Sequence, residues 1–149
     1  MMESHAAAVK NTVLAVLAGV GSYLAKALGG WDEALNMLLF LMAADYATGL
    51  MVAGIWHKSN KTQGGALDSR AGFQGLVRKG MVLLLVLVGV RLDRAMGTRM
   101  CRNAVILFFS GNEGLSLLEN LGLMGVPFPQ FIRKALEALR DQGDSGTVQ

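Results

Sequence analysis

The sequence predicts an all-α integral membrane protein, with three to four transmembrane helices and a short C-terminal amphipathic helix. Three observations carry this. The chain of 149 residues is 52% hydrophobic and only 17% charged, where soluble domains carry about 25% charged residues. Its mean hydropathy is +0.41, and its apolar residues come in blocks separated by short polar breaks. The clearest block, residues 34–56, has one formal charge, Asp45, at its middle. A helix of that length covers roughly 34 Å, enough to cross a hydrocarbon core of about 30 Å.

The first segment, residues 11–28, is interrupted only by Lys26 and weakened by Gly19, Gly21 and Ser22. Lys10, the apolar run and Ala25-Lys26-Ala27 imitate a signal peptide. A lysine inside the cleavage site, and further membrane segments directly after it, argue against one. The segment either crosses the membrane or lies in its interface, and Lys26 reaches the headgroups in both cases.

Gly29 and Gly30 break this helix. Asp32 then supplies an N-cap for the second segment, residues 34–56, with Glu33 favourable in its first turn. Trp31 and Trp56 bracket the segment as interfacial aromatics do. Inside it, Ala43 and Ala47, Ala44 and Thr48, and Gly49 and Ala53 are spaced by four. Small residues at that spacing let helix backbones approach closely. Asp45, Thr48, Gly49 and Val52 share one face. A carboxylate at mid-depth costs about 2.5–3.5 kcal/mol even on the gentlest scale. It calls for a partner helix, a water-filled lumen or protonation. This face packs within one subunit, or it meets other subunits or lines a pore.

Residues 57–79 form a polar loop with Lys58, Lys61, Arg70, Arg78 and Lys79 against a lone Asp68. The positive-inside rule places these basic residues in the cytoplasm, and Gly64, Gly65 and Gly72 argue against a long helix there. The third segment, residues 76–97, has an apolar centre flanked by Arg78 and Lys79 on one side and Arg91, Asp93 and Arg94 on the other. The fourth, residues 103–124, carries a stripe of Glu113, Ser116 and Asn120 at one-turn steps, with Glu119 on another side. The stripe is interhelical glue, or a pore-lining or assembly surface. Gly125-Val126-Pro127-Phe128-Pro129 ends this helix. Residues 127–149 then predict an amphipathic helix on the cytoplasmic surface, apolar through Phe131, Ile132, Ala135, Leu136 and Leu139, with a disordered tail from Gly143.

Four spans put the amino terminus, the 57–79 loop and the tail in the cytoplasm. Arg91, Arg94, Arg99 and Arg102 then lie outside, against the positive-inside expectation. Either these arginines bracket a tight hairpin whose charges snorkel or pair with Asp93, or the first segment does not cross and three spans remain.

No catalytic constellation points to an enzyme. Cys101 has no cysteine partner in the chain, and His5 and His57 are too distant to make a metal cluster with it. No cofactor is implied. The net charge of +3 and the pI near 9.3 fit basic loops beside anionic lipid. The basic residues lack the aromatic interleaving of a nucleic-acid surface. The candidate pore or assembly residues are therefore Asp45, Thr48, Gly49, Glu113, Ser116, Glu119 and Asn120. Ala43, Ala44, Ala47 and Ala53 are the candidate packing residues.

Asp45-Tyr46-Ala47-Thr48-Gly49 resembles the Asp-Tyr-x-Thr-Gly signature of the bacteriophage holin family, which includes clostridial toxin-secretion proteins. The stretch from Ser69 to Lys79, with Gly72, Gly75, Leu76, Arg78 and Lys79 in place, is similar to that family's loop. Asn112-Glu113-Gly114-Leu115-Ser116-Leu117-Leu118-Glu119-Asn120 and Gly125-Val126-Pro127-Phe128-Pro129 resemble its two remaining blocks. The resemblance covers roughly residues 30–140. It implies a multi-pass protein of the bacterial inner membrane that oligomerises with copies of itself in the lipid bilayer. The resulting lesions release an endolysin, or in relatives a toxin. The alternatives from other classes are a non-pore membrane regulator such as an antiholin, and a small ion channel.

Overall fold

The computed structural model describes residues 2–62 and 64–146, with the backbone alone for residues 2–6. Among the described residues the chain forms five helices and no strand: α1 (Met2–Ala27), α2 (Glu33–Met51), α3 (Ser69–Met96), α4 (Met100–Leu123) and α5 (Gln130–Asp144). A π-helical turn, Val52–Trp56, continues α2. Three helical stretches are long and apolar enough to cross a membrane: Ala7–Ala27, Glu33–Trp56 and Ser69–Met96. α4 is not among them, because its length is shared with Arg102, Asn103, Asn112, Glu113, Glu119 and Asn120.

Local chemistry sets the helix ends. Asp32 caps α2 as the sequence predicts, its Oδ1 accepting from the Leu35 amide at 2.9 Å. Asp68 does the same for α3, accepting from the Arg70 amide at 2.9 Å. That cap starts α3 at Ser69, well before Leu76, and the helix runs through Gly72 and Gly75. Of the glycines expected to oppose a helix there, Gly64 and Gly65 stay in the turn before it, while Gly72, like Gly75, packs within the helix: a Cβ at either would stand 3.8 Å from the Tyr46 side chain. α1 also starts earlier than residue 11, since Ala6, Ala7 and Ala8 are strong helix formers.

α2, α3 and α4 form an up-down-up core. Asp32 meets Arg102 and Asp45 meets Asn120, so α2 and α4 run parallel. Asp93 meets Arg102 and Lys79 meets Glu113, so α3 is antiparallel to α4. Leu35, Leu38 and Met42 of α2, Val82 and Val86 of α3, and Ile106 of α4 form the buried centre. α1 packs along none of these helices. Its side chains from Val9 to Leu24 are exposed, Val13, Leu17 and Tyr23 among them.

α5 is not laid out on its own. It folds back antiparallel along the side of α4 that α2 and α3 leave open. Glycines make the close approach possible. A Cβ at Gly111 would stand 2.6 Å from the Leu136 carbonyl oxygen, one at Gly114 would stand 2.5 Å from Leu136 Cδ2, and one at Gly143 would stand 2.5 Å from the Ala104 carbonyl oxygen. The sequence reading placed this helix on the membrane surface and began a disordered tail at Gly143. Gly143 is instead a buried helical residue against α4, the helix runs on to Asp144, and residues 147–149 of that expected tail lie outside the described residues.

Gly143→Val therefore forces α5 away from Phe108 and Ala104. Overpacking of this kind costs about 1–3 kcal/mol. The variant is expected to lower the thermal midpoint in detergent and to expose 130–146 to protease. Gly19→Val, where nothing lies within 4 Å, is the control and leaves both unchanged.

Candidate functional site

The polar residues of the sequence signature converge where α2, α3 and α4 meet. Lys79 Nζ donates to Asp45 Oδ2 at 2.8 Å and pairs with Glu113 Oε2 on its other side. Asp45 is 5% exposed, and the Lys79 and Glu113 side chains are each 12% exposed. Asn120 Nδ2 donates to Asp45 Oδ1 at 3.1 Å, to the Asp45 carbonyl at 3.2 Å and to Thr48 Oγ1 at 3.0 Å. Thr48 Oγ1 in turn donates to the Ala44 carbonyl at 2.8 Å. Ser116, half-buried one turn before Asn120, lines the same recess as Gly49, Lys61 and Asn120. Lys61, with its side chain 58% exposed, reaches over from the loop to 3.9 Å of Asp45 Oδ1.

Two carboxylates and one ammonium leave a net charge of −1 in this buried triad, which Lys61 offsets from the water side. Buried ions persist when they are paired and their remaining hydrogen-bonding capacity is filled. Here one chain meets both conditions.

The structure therefore brings Asp45, Thr48, Gly49, Glu113, Ser116 and Asn120 together inside a single chain. Gly49 lies against Asn120, whose Nδ2 is 3.7 Å from its Cβ position. Glu119 stays outside the cluster, exposed, as its helical phase relative to Glu113 requires. Of the packing alanines, Ala53 is buried and Ala44 half-buried, while Ala43 and Ala47 are exposed on the outer face of α2. Lys58, Arg70 and Arg78 are exposed, as basic loop residues are. Lys79 leaves that group: it belongs to the interior of α3, one position and about 100° round the helix from Arg78.

A second cluster holds the opposite end. Arg102 lies buried between the two turns at that end. Its Nε donates to the Leu28 carbonyl at 2.6 Å and its Nη2 to the Gly30 carbonyl at 3.1 Å. It clasps both Asp32 oxygens, at 2.6 and 3.2 Å. Asp93 does not take an arginine side chain. It accepts from the Cys101 and Arg102 amides, each at 2.9 Å, and from Thr98 Oγ1 at 2.7 Å. It thus caps the start of α4 from the end of α3, where Arg99 provides no cap. The tight hairpin is as one of the two sequence alternatives has it, but the arginine's partner is Asp32. The signal for this was Arg102 itself, too close to an apolar run to remain in solvent.

Among the described residues no group of side chains is arranged to hold a metal ion.

The chain matches the sequence model of the bacteriophage holin family over residues 22–141. It belongs to that family. The match takes in both polar clusters and the α4–α5 hairpin. A probable holin of Bacillus phage phi105 is 33% identical over 114 residues, covering 76% of this chain and 78% of that protein. An uncharacterised protein of Clostridium perfringens is 37% identical over 118 residues, 78% of this chain and 82% of its own length. One from Clostridium acetobutylicum is 31% identical over 134 residues, 89% and 98% respectively. No solved structure matches. In this family member, the signature Asp-Tyr-x-Thr-Gly has a physical content: the carboxylate for Lys79, a ring against Gly72 and Gly75, the hydroxyl for Asn120 and a close approach at Gly49.

Lys79→Met is expected to cost about 3–5 kcal/mol, because it leaves two acids buried without a cation. Thermal unfolding in detergent measures this. Adding Asp45→Asn and Glu113→Gln to the same chain recovers most of the loss.

The Arg102 hydrogen bonds hold the Asp32 carboxyl below the usual carboxylate range. A depressed folded-state pKa contributes stability that is complete above the unfolded value and lost as pH falls through the folded one. The melting midpoint should therefore drop on acidification through and below the usual carboxylate range. Asp32→Asn should flatten that part of the profile.

Proposed function

We propose that this family member acts as a pore-forming holin. It accumulates in the bacterial inner membrane, oligomerises, and opens lesions through which an endolysin, or for some relatives a toxin, leaves the cytoplasm. The observation that carries this is the family match over residues 22–141, joined to three stretches of membrane-crossing length. The named phage relative, a probable holin, supports it.

The geometry moves the assembly force away from the mid-depth acids. Asp45 and Glu113 already have Lys79 and Asn120, so they gain little from a neighbouring chain. What remains unpartnered is apolar surface: Val13, Leu17, Val20 and Leu24 along α1, Phe40 and Leu50 on α2, and Leu84, Leu85 and Val88 on α3. In lipid, association through such surfaces depends on close packing and shape, which Ala43 and Ala47 permit on the outer face of α2. The self-sufficient triad also favours a second reading, a non-pore membrane regulator that persists as a monomer.

Controlled expression in a bacterial host, with membrane potential and graded solute release followed together, separates the two. The pore reading expects normal growth, then abrupt loss of potential, dye passage and wall lysis when an endolysin is co-expressed. Unchanged potential and retained endolysin would reject it in favour of the regulator, and loss of potential with passage of small ions alone would indicate a narrow channel.

A further inference from the structure

α5 is charged along one flank and apolar along the other, and its position beside α4 makes the charged flank a problem that the monomer leaves open. By its contacts the helix lies beside Ala104, Gly111 and Gly114. The same part of α4 carries Ile106, which packs with Leu35, Leu38, Val82 and Val86 in the middle of the core. α5 therefore shares the depth of the membrane-length helices.

Steps of four, three, four and three residues place Gln130, Lys134, Glu137, Asp141 and Asp144 in one stripe. All of them are exposed except Glu137, which is half-buried. The adjacent stripe, Phe131, Ala135 and Ala138, is exposed too, with Phe131 at 70%. Leu136 and Gly143 face α4. A row of charges at bilayer depth does not face acyl chains; it faces water or protein. Among the described residues no other helix packs against α5.

We propose that the Gln130–Asp144 stripe is the wall of the water-filled lumen, with α5 docked on α4 in the open oligomer. The apolar flank through Phe131 then faces lipid or the neighbouring copy. The proposal rests on the pore reading above and adds which surface meets water. It assigns the lumen to a helix outside the Asp45 signature and leaves the buried triad as internal framework.

The test uses the full chain with Cys101→Ser and one new cysteine, at Lys134, at Asp141 or, as an outward-facing control, at Leu84. Each is co-expressed with excess Cys101→Ser chain, which carries no thiol, so that lesions open. A membrane-impermeant maleimide is added before and after the onset of dye release. A second variant, Gly114→Cys with Leu136→Cys in the Cys101→Ser chain, locks α5 onto α4 by a disulfide. The expected result is at least tenfold faster labelling of both stripe positions after opening. Leu84→Cys should not change, and the oxidised locked chain should still release dye.

Stripe cysteines that stay unreactive while dye escapes overturn the assignment. So does a locked chain that is silent until a reductant is added, which would mean that α5 leaves α4, for instance for the membrane surface. If wild-type chain alone releases no dye of any size, the pore reading itself fails and the lumen with it.

Discussion

Lys79 stands between two carboxylates in the interior of a helical bundle, and most of the architecture follows from keeping it there. The ammonium ties α3 to α2 through Asp45 and to α4 through Glu113. Asn120 then closes the α2–α4 seam on the other side of Asp45. Removing any one of these groups leaves a charge or a polar atom without a partner in a low-dielectric interior. The triad therefore specifies register among three helices whose apolar surfaces alone would slide. A hydrophobic seam tolerates a shift of one turn, but a seam containing one cation and two anions does not.

Arg102 makes the corresponding arrangement at the far end. It brings together the α1–α2 turn and the start of α4, while Asp93 substitutes for the missing cap. Between them lie the Leu, Val, Met and Ile side chains of the core, with the buried Ser110 hydroxyl on α4 left without a hydrogen-bond partner. The core is thus pinned at two levels and smooth in between. Of the four arginines that the four-span reading places on the disfavoured side, Arg102 is accounted for in this way, while Arg91, Arg94 and Arg99 are exposed. Arg102 is consumed by Asp32 and two backbone carbonyls and carries little free charge to the surface.

Much of this was legible in the linear sequence. Apolar blocks gave the helices, Asp32 gave a cap, and the shared face of Asp45, Thr48 and Gly49 gave the position of the seam. Lys79 was not legible in the same way. It follows Arg78 at the end of a polar stretch, and adjacency in sequence made the two look alike. Helical phase separates them, as does charge counting: two acids inside apolar segments require a cation, and Lys79 is the basic residue nearest the middle of α3. The return of α5 along α4 was hidden for a different reason. An amphipathic helix carries the same pattern whether its apolar side meets lipid or another helix. Gly111 and Gly114 on α4 and Gly143 on α5 distinguish the cases only once they are set opposite one another.

The root of α1 is held as firmly as any part of the molecule. Arg102 grips the carbonyls of Leu28 and Gly30, and the chain turns through Gly29 and Gly30 at φ of 92° and 105°. From Val9 to Leu24 the side chains of α1 are exposed. A rod anchored at its base and bare along its flank is presented to its surroundings at no cost in internal packing. Whatever it lies against, acyl chains or the arm of an adjacent copy, it can change companions without loosening the bundle that carries it.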